Sequence, residues 1–134
     1  MPAKVLDSFA LLAYFRDEPG AEMMENLLVT AGKKDSPLHM TDVNYAEVKS
    51  SIVRKDGVEA WTEAAKILEG LPIDFHSPSR ALADTAADFK ARFKISLADA
   101  FAAALAKEKK AELITGDPEF KPLEKEIKIT WLKS

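Results

Sequence analysis

Asp7, Glu47, Asp99 and Asp117 are the side chains of this sequence whose types and spacing could do chemistry. Each has an ordinary use when taken alone. Asp7 could cap a helix starting at Ser8, and Asp117, between Gly116 and Pro118, could be a turn residue. Asp99 completes Ser96-Leu97-Ala98-Asp99, a capping box with Ser96 as the cap, and Glu47 could face solvent. The joint pattern says more. Asp7 closes the run Lys4-Val5-Leu6, and Asp99 projects from an alanine-rich stretch (Ala98, Ala100, Ala102, Ala103, Ala104) that implies tight packing. Acids brought together in such surroundings raise one another's pKa unless a cation neutralises them. The partner suited to oxygen donors is Mg²⁺ or Mn²⁺. Such an ion can activate water and polarise a phosphoryl oxygen. The pattern therefore implies metal-dependent attack on a phosphodiester, with one or two ions left open.

The elements that must position these acids follow from periodicity and punctuation. Strands are expected at 3–7, 37–40, 72–75, 111–115 and 127–131. Helices are expected from Ser8 to Phe15, from about Ala21 to Ala31, from a cap at Thr41 or Asp42 to near Asp56-Gly57, from Val58 to Gly70, from an entry at Ser77-Pro78-Ser79 to roughly Phe93, and from Leu97 to Lys110. Pro19-Gly20 breaks the first helix, and Gly116-Asp117-Pro118 turns out of the fourth strand. Strands alternating with helices give a parallel sheet covered on both faces, a three-layer α/β/α arrangement. In such sheets ligands sit outside the carboxyl ends of the strands, where strand order reverses. Asp7 and Asp117 belong at that edge.

A length of 134 residues fits one domain, 1–134, with a core of useful size. No repeat or linker divides it. With no cysteine, thiolate zinc sites, thiol nucleophiles and disulfides are excluded. No run approaches the ~18 apolar residues of a membrane helix, and the first residues do not form a signal peptide. A soluble, cytoplasmic protein is expected. The net charge of −3 and pI near 5.5 argue against coating nucleic acid by charge alone, though not against a local basic rim. Arg92 and Lys94, just before Asp99, are the best candidates for that rim. His39 and His76 are far apart in the chain and are read as isolated, not as a metal pair. No nucleophile-elbow serine and no phosphate-cradling glycine loop is present. Trp61, Met23 and Met24 are read as core.

Four segments together resemble the PIN domain. Val5-Leu6-Asp7-Ser8 with Ala10-Leu11-Leu12 resembles its opening, and Val43-Asn44-Tyr45-Ala46-Glu47-Val48 its second motif. Ser96-Leu97-Ala98-Asp99-Ala100 is similar to the third, and Leu113-Ile114-Thr115-Gly116-Asp117-Pro118-Glu119-Phe120 to the fourth. The compact length resembles VapC-type toxins of toxin–antitoxin pairs. The resemblance implies a sheet of about five parallel strands, order 3-2-1-4-5, and Mg²⁺- or Mn²⁺-dependent cleavage of RNA. It implies Asp7, Glu47, Asp99 and Asp117 as the catalytic, metal-binding quartet, with Asp7 and Asp99 as direct ligands. Ser8, Asn44, Ser96 and Thr115 would orient carboxylates or water. A small VapB-like antitoxin and a second copy of the chain are the expected protein partners.

Phe9 departs from the family pattern, which more often has a small polar residue there. If it disabled the site, the chain would be a silent RNA- or protein-binding module on the same fold. A phospho-acceptor signalling domain also gathers acids at strand ends, but it wants an acidic neighbour beside the first strand, which Asp7 lacks.

Overall fold

A computed structural model describes residues 3–133. Met1, Pro2 and Ser134, which the expected single domain included, lie outside the described residues. The chain runs β1 (Lys4–Leu6), α1 (Ser8–Phe15), α2 (Ala21–Lys33), β2 (Leu38–Thr41), α3 (Asp42–Asp56), α4 (Val58–Glu69) and β3 (Ile73–His76). It continues through α5 (Arg80–Arg92), α6 (Leu97–Lys109), β4 (Glu112–Thr115), a 3₁₀ segment (Pro118–Lys125) and β5 (Ile129–Trp131). The five strands form a parallel sheet in the order β3-β2-β1-β4-β5. The expected α/β/α class and strand order are thus the observed ones.

The central strands are short and bury both faces, so they read as apolar runs and not as alternations. Val5 and Leu113, paired in register, face the layer of α5, α6 and the 3₁₀ segment. Leu6 and Ile114, the next pair, face the layer built from α1 to α4. Each layer brings its own core, centred on Phe89, Leu105 and Phe120 on one side and on Leu11, Met24 and Val48 on the other. Met24 and Trp61 are core, as expected, while Met23 is only partly covered.

Strand order reverses between β1 and β4, so the switch point is flanked by Asp7 after β1 and by Thr115 at the end of β4. Thr41 ends β2 on the same edge and caps α3 by accepting from the Asn44 N–H at 3.0 Å. The 118–125 stretch departs from the expected simple turn. Pro118 occupies the first turn of a 3₁₀ helix capped by Asp117, and Phe120 and Leu123 plug it into the core.

Every residue of α6 from Ala98 to Ala106 is buried. This helix packs against α5, α3 and the strands β1, β2 and β4, and small alanine side chains suit a helix covered on so many sides. Ala102 is fully buried. Ala102→Leu should therefore overpack the layer and lower stability by about 1–3 kcal/mol, measured by urea denaturation. An unchanged midpoint would show that the helix has slack.

Candidate active site

The local chain geometry delivers the acids to one crevice. Asp7 follows β1 directly and caps α1, its Oδ1 accepting the Ala10 N–H at 2.9 Å. Its Oδ2 accepts from the Thr115 hydroxyl. Thr115 Oγ1 in turn accepts the Asp117 N–H at 3.0 Å. One threonine at the end of β4 thereby ties together the acids that follow β1 and β4. Asp99 sits in the first turn of α6, where Ser96 Oγ accepts its N–H at 3.1 Å. The ordinary capping roles read from sequence are therefore present, and they also fix where the carboxylates stand.

Asn44, completely buried, locks three helix starts together. Its side-chain amide donates to Ser8 Oγ at 3.0 Å and to the Ala98 carbonyl at 3.1 Å. Its Oδ1 accepts from the Thr41 hydroxyl, and Ser8 Oγ donates back to the Asn44 carbonyl at 3.3 Å. Ser8 adjoins Asp7 and Ala98 adjoins Asp99, so this network sets the spacing of α1, α3 and α6. Among the described residues no buried side-chain polar atom lacks a partner, as a rigid polar cluster requires.

The charges meet around Asp99. Asp99, Asp117 and Glu119 each offer an oxygen within 4.8 Å of the others. Burial raises the Asp99 pKa to about 6, with the charges of Asp117, Glu47 and Glu119 adding to the rise. Asp7 is wholly buried, and desolvation pushes its pKa up to about 8 against the lowering effect of the Thr115 and Ala10 hydrogen bonds. Asp99 and Asp117 add to that rise. Asp7 and Glu47 lie outside the tight trio but act on it electrostatically, Glu47 from an exposed position on α3. None of these five acids takes part in a salt bridge among the described residues. An all-oxygen donor set with no basic partner fits a hard divalent cation.

Sequence reading did not single out Glu119. The signal was the Asp117-Pro118-Glu119 order, in which proline starts a helical turn and Asp117 accepts the Glu119 N–H at 2.9 Å. Arg92 is engaged elsewhere: its guanidinium forks onto Glu126 at 2.6 and 2.8 Å and lies over the Phe89 and Phe93 rings. Lys94 is exposed in the loop before α6. The reading of the histidines as isolated is corrected. The parallel register of β2 and β3 brings His39 Nδ1 and His76 Nε2 to 2.8 Å. Burial, helped by Lys109 and His76, lowers the pKa of His39.

The chain matches the PIN domain family over residues 4–126. It has no sequence match among curated proteins. Solved structures similar to it include VapBC2 from Rickettsia felis bound to a DNA fragment from its promoter, at 14% identity and a TM-score of 0.77, covering 96% of this chain and 97% of that one. Mycobacterium tuberculosis VapC20, a sarcin-ricin loop cleaving toxin, is similar at 16% identity and TM-score 0.73, over 90% and 95% of the two chains. VapBC-1 from nontypeable Haemophilus influenzae is similar at 20% identity and TM-score 0.71, over 97% and 98%. At these identities the likeness speaks for the fold.

The raised carboxylates carry a sign for stability. In metal-free protein Asp7 and Asp99 hold protons more tightly folded than unfolded. Their contribution is complete below the ordinary aspartate value of 3.8 and is lost as pH rises, through about 6 for Asp99 and about 8 for Asp7. With chelator present, Asp7→Asn should therefore gain melting temperature over the wild type as pH goes from 5 to 8. A difference that stays flat or shrinks would contradict the buried, crowded state of Asp7.

Proposed function

The chain belongs to the PIN-domain family, and on that premise we propose that it is a metal-dependent endoribonuclease, the toxin of a type II toxin–antitoxin pair. The observation that carries the proposal is the cluster of Asp99, Asp117 and Glu119 without a basic partner, with Asp7 and Glu47 near enough to act on it electrostatically. The similar VapC and VapBC structures support the toxin part of the reading. In this proposal Mg²⁺ or Mn²⁺ is the cofactor, RNA the substrate, and a small VapB-like antitoxin and a second copy of the chain are the protein partners. The setting is the cytoplasm. Among the described residues no helix is long and apolar enough to cross a membrane.

Each acid has a role in this reading. Asp99, Asp117 and Asp7 would hold the cation, with Glu119 a further ligand supplied by the 3₁₀ turn. When bound, the ion would supply charge neutralisation at the phosphate and a more acidic water. Thr115 fixes the Asp7 carboxylate through its hydroxyl, and Ser96 fixes the first turn carrying Asp99. Asn44 and Ser8 hold the helices bearing Asp7, Glu47 and Asp99 in register. Glu47 is exposed and Asp117 partly so, which leaves both able to exchange a proton with an attacking water. The silent-module alternative rested on Phe9 disabling the site, and the ring lies outward, 42% exposed.

The test is cleavage of single-stranded RNA by purified protein. Activity should vanish on chelation and return with Mn²⁺. Thr115→Val should lose about 10–100-fold, the usual cost of an outer partner of a ligand, and Asp99→Asn should lose more while its circular dichroism stays native. Full activity of a clean Asp99→Asn preparation would reject the assignment. A wild-type chain that binds RNA without cutting it, in Mn²⁺, would favour the silent module.

A further inference from the structure

Phe9 is the one residue at the start of α1 that faces outward. Asp7, Ser8 and Ala10 around it are buried, while Phe9 is 42% exposed. An exposed phenylalanine alone says little, but this one has a built seat. A Cβ placed on Gly116 would stand 2.4 Å from Phe9 Cε1, 2.9 Å from Cζ and 3.0 Å from Cδ1. Gly116 has no positive φ, unlike Gly20 and Gly57, so it is needed here for space and not for backbone freedom. The ring rests on bare backbone between Thr115, which holds Asp7, and Asp117. It is thus fixed from below and open above, beside the crevice where the acids meet.

From this geometry we propose that Phe9 is a stacking platform for one unpaired base of the RNA next to the carboxylate crevice. The inference rests on the nuclease reading and states how that site would hold its substrate. The acids repel a nucleic-acid backbone, and Arg92 is paired with Glu126. A contact that is indifferent to charge adds binding energy at this rim beside whatever the cation supplies. A π-face serves that need, because every base offers one and stacking tolerates any sequence. A base inside a duplex is already stacked, so the platform favours single strands.

The test uses the full chain with Mn²⁺ and a single-stranded RNA oligonucleotide carrying 2-aminopurine at successive positions. Phe9→Ala and Phe9→Leu should each raise KM on the order of tenfold with kcat little changed. Both should abolish the 2-aminopurine quench that the wild type gives at one position. Phe9→Trp should keep the wild-type KM and quench. Gly116→Ala, which displaces the ring, should raise KM in the wild-type chain but not further in Phe9→Ala. Wild-type KM and quench in Phe9→Leu would overturn the platform, since leucine keeps the bulk and loses the π-face. If the wild type cuts RNA while the variants match it, the platform falls and the nuclease reading stands. If the wild type neither cuts nor binds the RNA, both fall.

Discussion

Carboxylates gathered at one edge of a sheet, with Asp7 and Asp99 buried among them, repel, and this chain holds them together with neutral contacts instead of basic ones. Asp7 and Asp99 gain protons from that confinement. The energy that keeps them in place comes from elsewhere: two hydrophobic layers, the caps at Ser96 and Thr41, and the Asn44 network. A lysine or arginine among the acids would relieve the repulsion, and it would also occupy the place of a cation. The cost of leaving the acids unpaired is what keeps the site receptive.

Topology explains why distant residues can do this together. An α/β chain whose strand order reverses between β1 and β4 opens a crevice at their carboxyl ends. Residues just after β1 and β4 reach it without long loops. Helix α6 reaches it from the side because its alanines let it lie close against the sheet, which presents its first turn, with Asp99, to the same edge. Thr115 then joins the two strand ends through one hydroxyl that donates to Asp7 and accepts from the Asp117 backbone. The same backbone, at Gly116, is bare enough to carry the Phe9 ring.

Much of this is written in local sequence. The parallel sheet follows from strands alternating with helices, its order is what the PIN-domain resemblance implies, and the caps follow from serine, threonine and aspartate at helix starts. What is not local is harder to read. Glu119 looks like a turn residue until Pro118 is seen to start a 3₁₀ segment whose Phe120 anchors it in the core. His39 and His76 are 37 residues apart and meet only through the register of β2 and β3. Arg92 reads as a free cation until Glu126, beyond α6 and β4, folds back to take both of its terminal guanidinium nitrogens. In each case long-range pairing, which periodicity does not encode, decides the role.

The account stands on a shared cation site, and calorimetric titration of the purified chain with Mn²⁺ at pH 7 tests it most directly. Run in buffers of different ionisation enthalpy, it should show saturable binding accompanied by proton release, because Asp7, whose pKa is near 8 when no ion is present, still holds its proton at pH 7. Both the heat and the proton release should disappear when Asp7 and Asp99 are replaced together by asparagine. No saturable binding to the wild type, or binding that survives the double replacement, would contradict it.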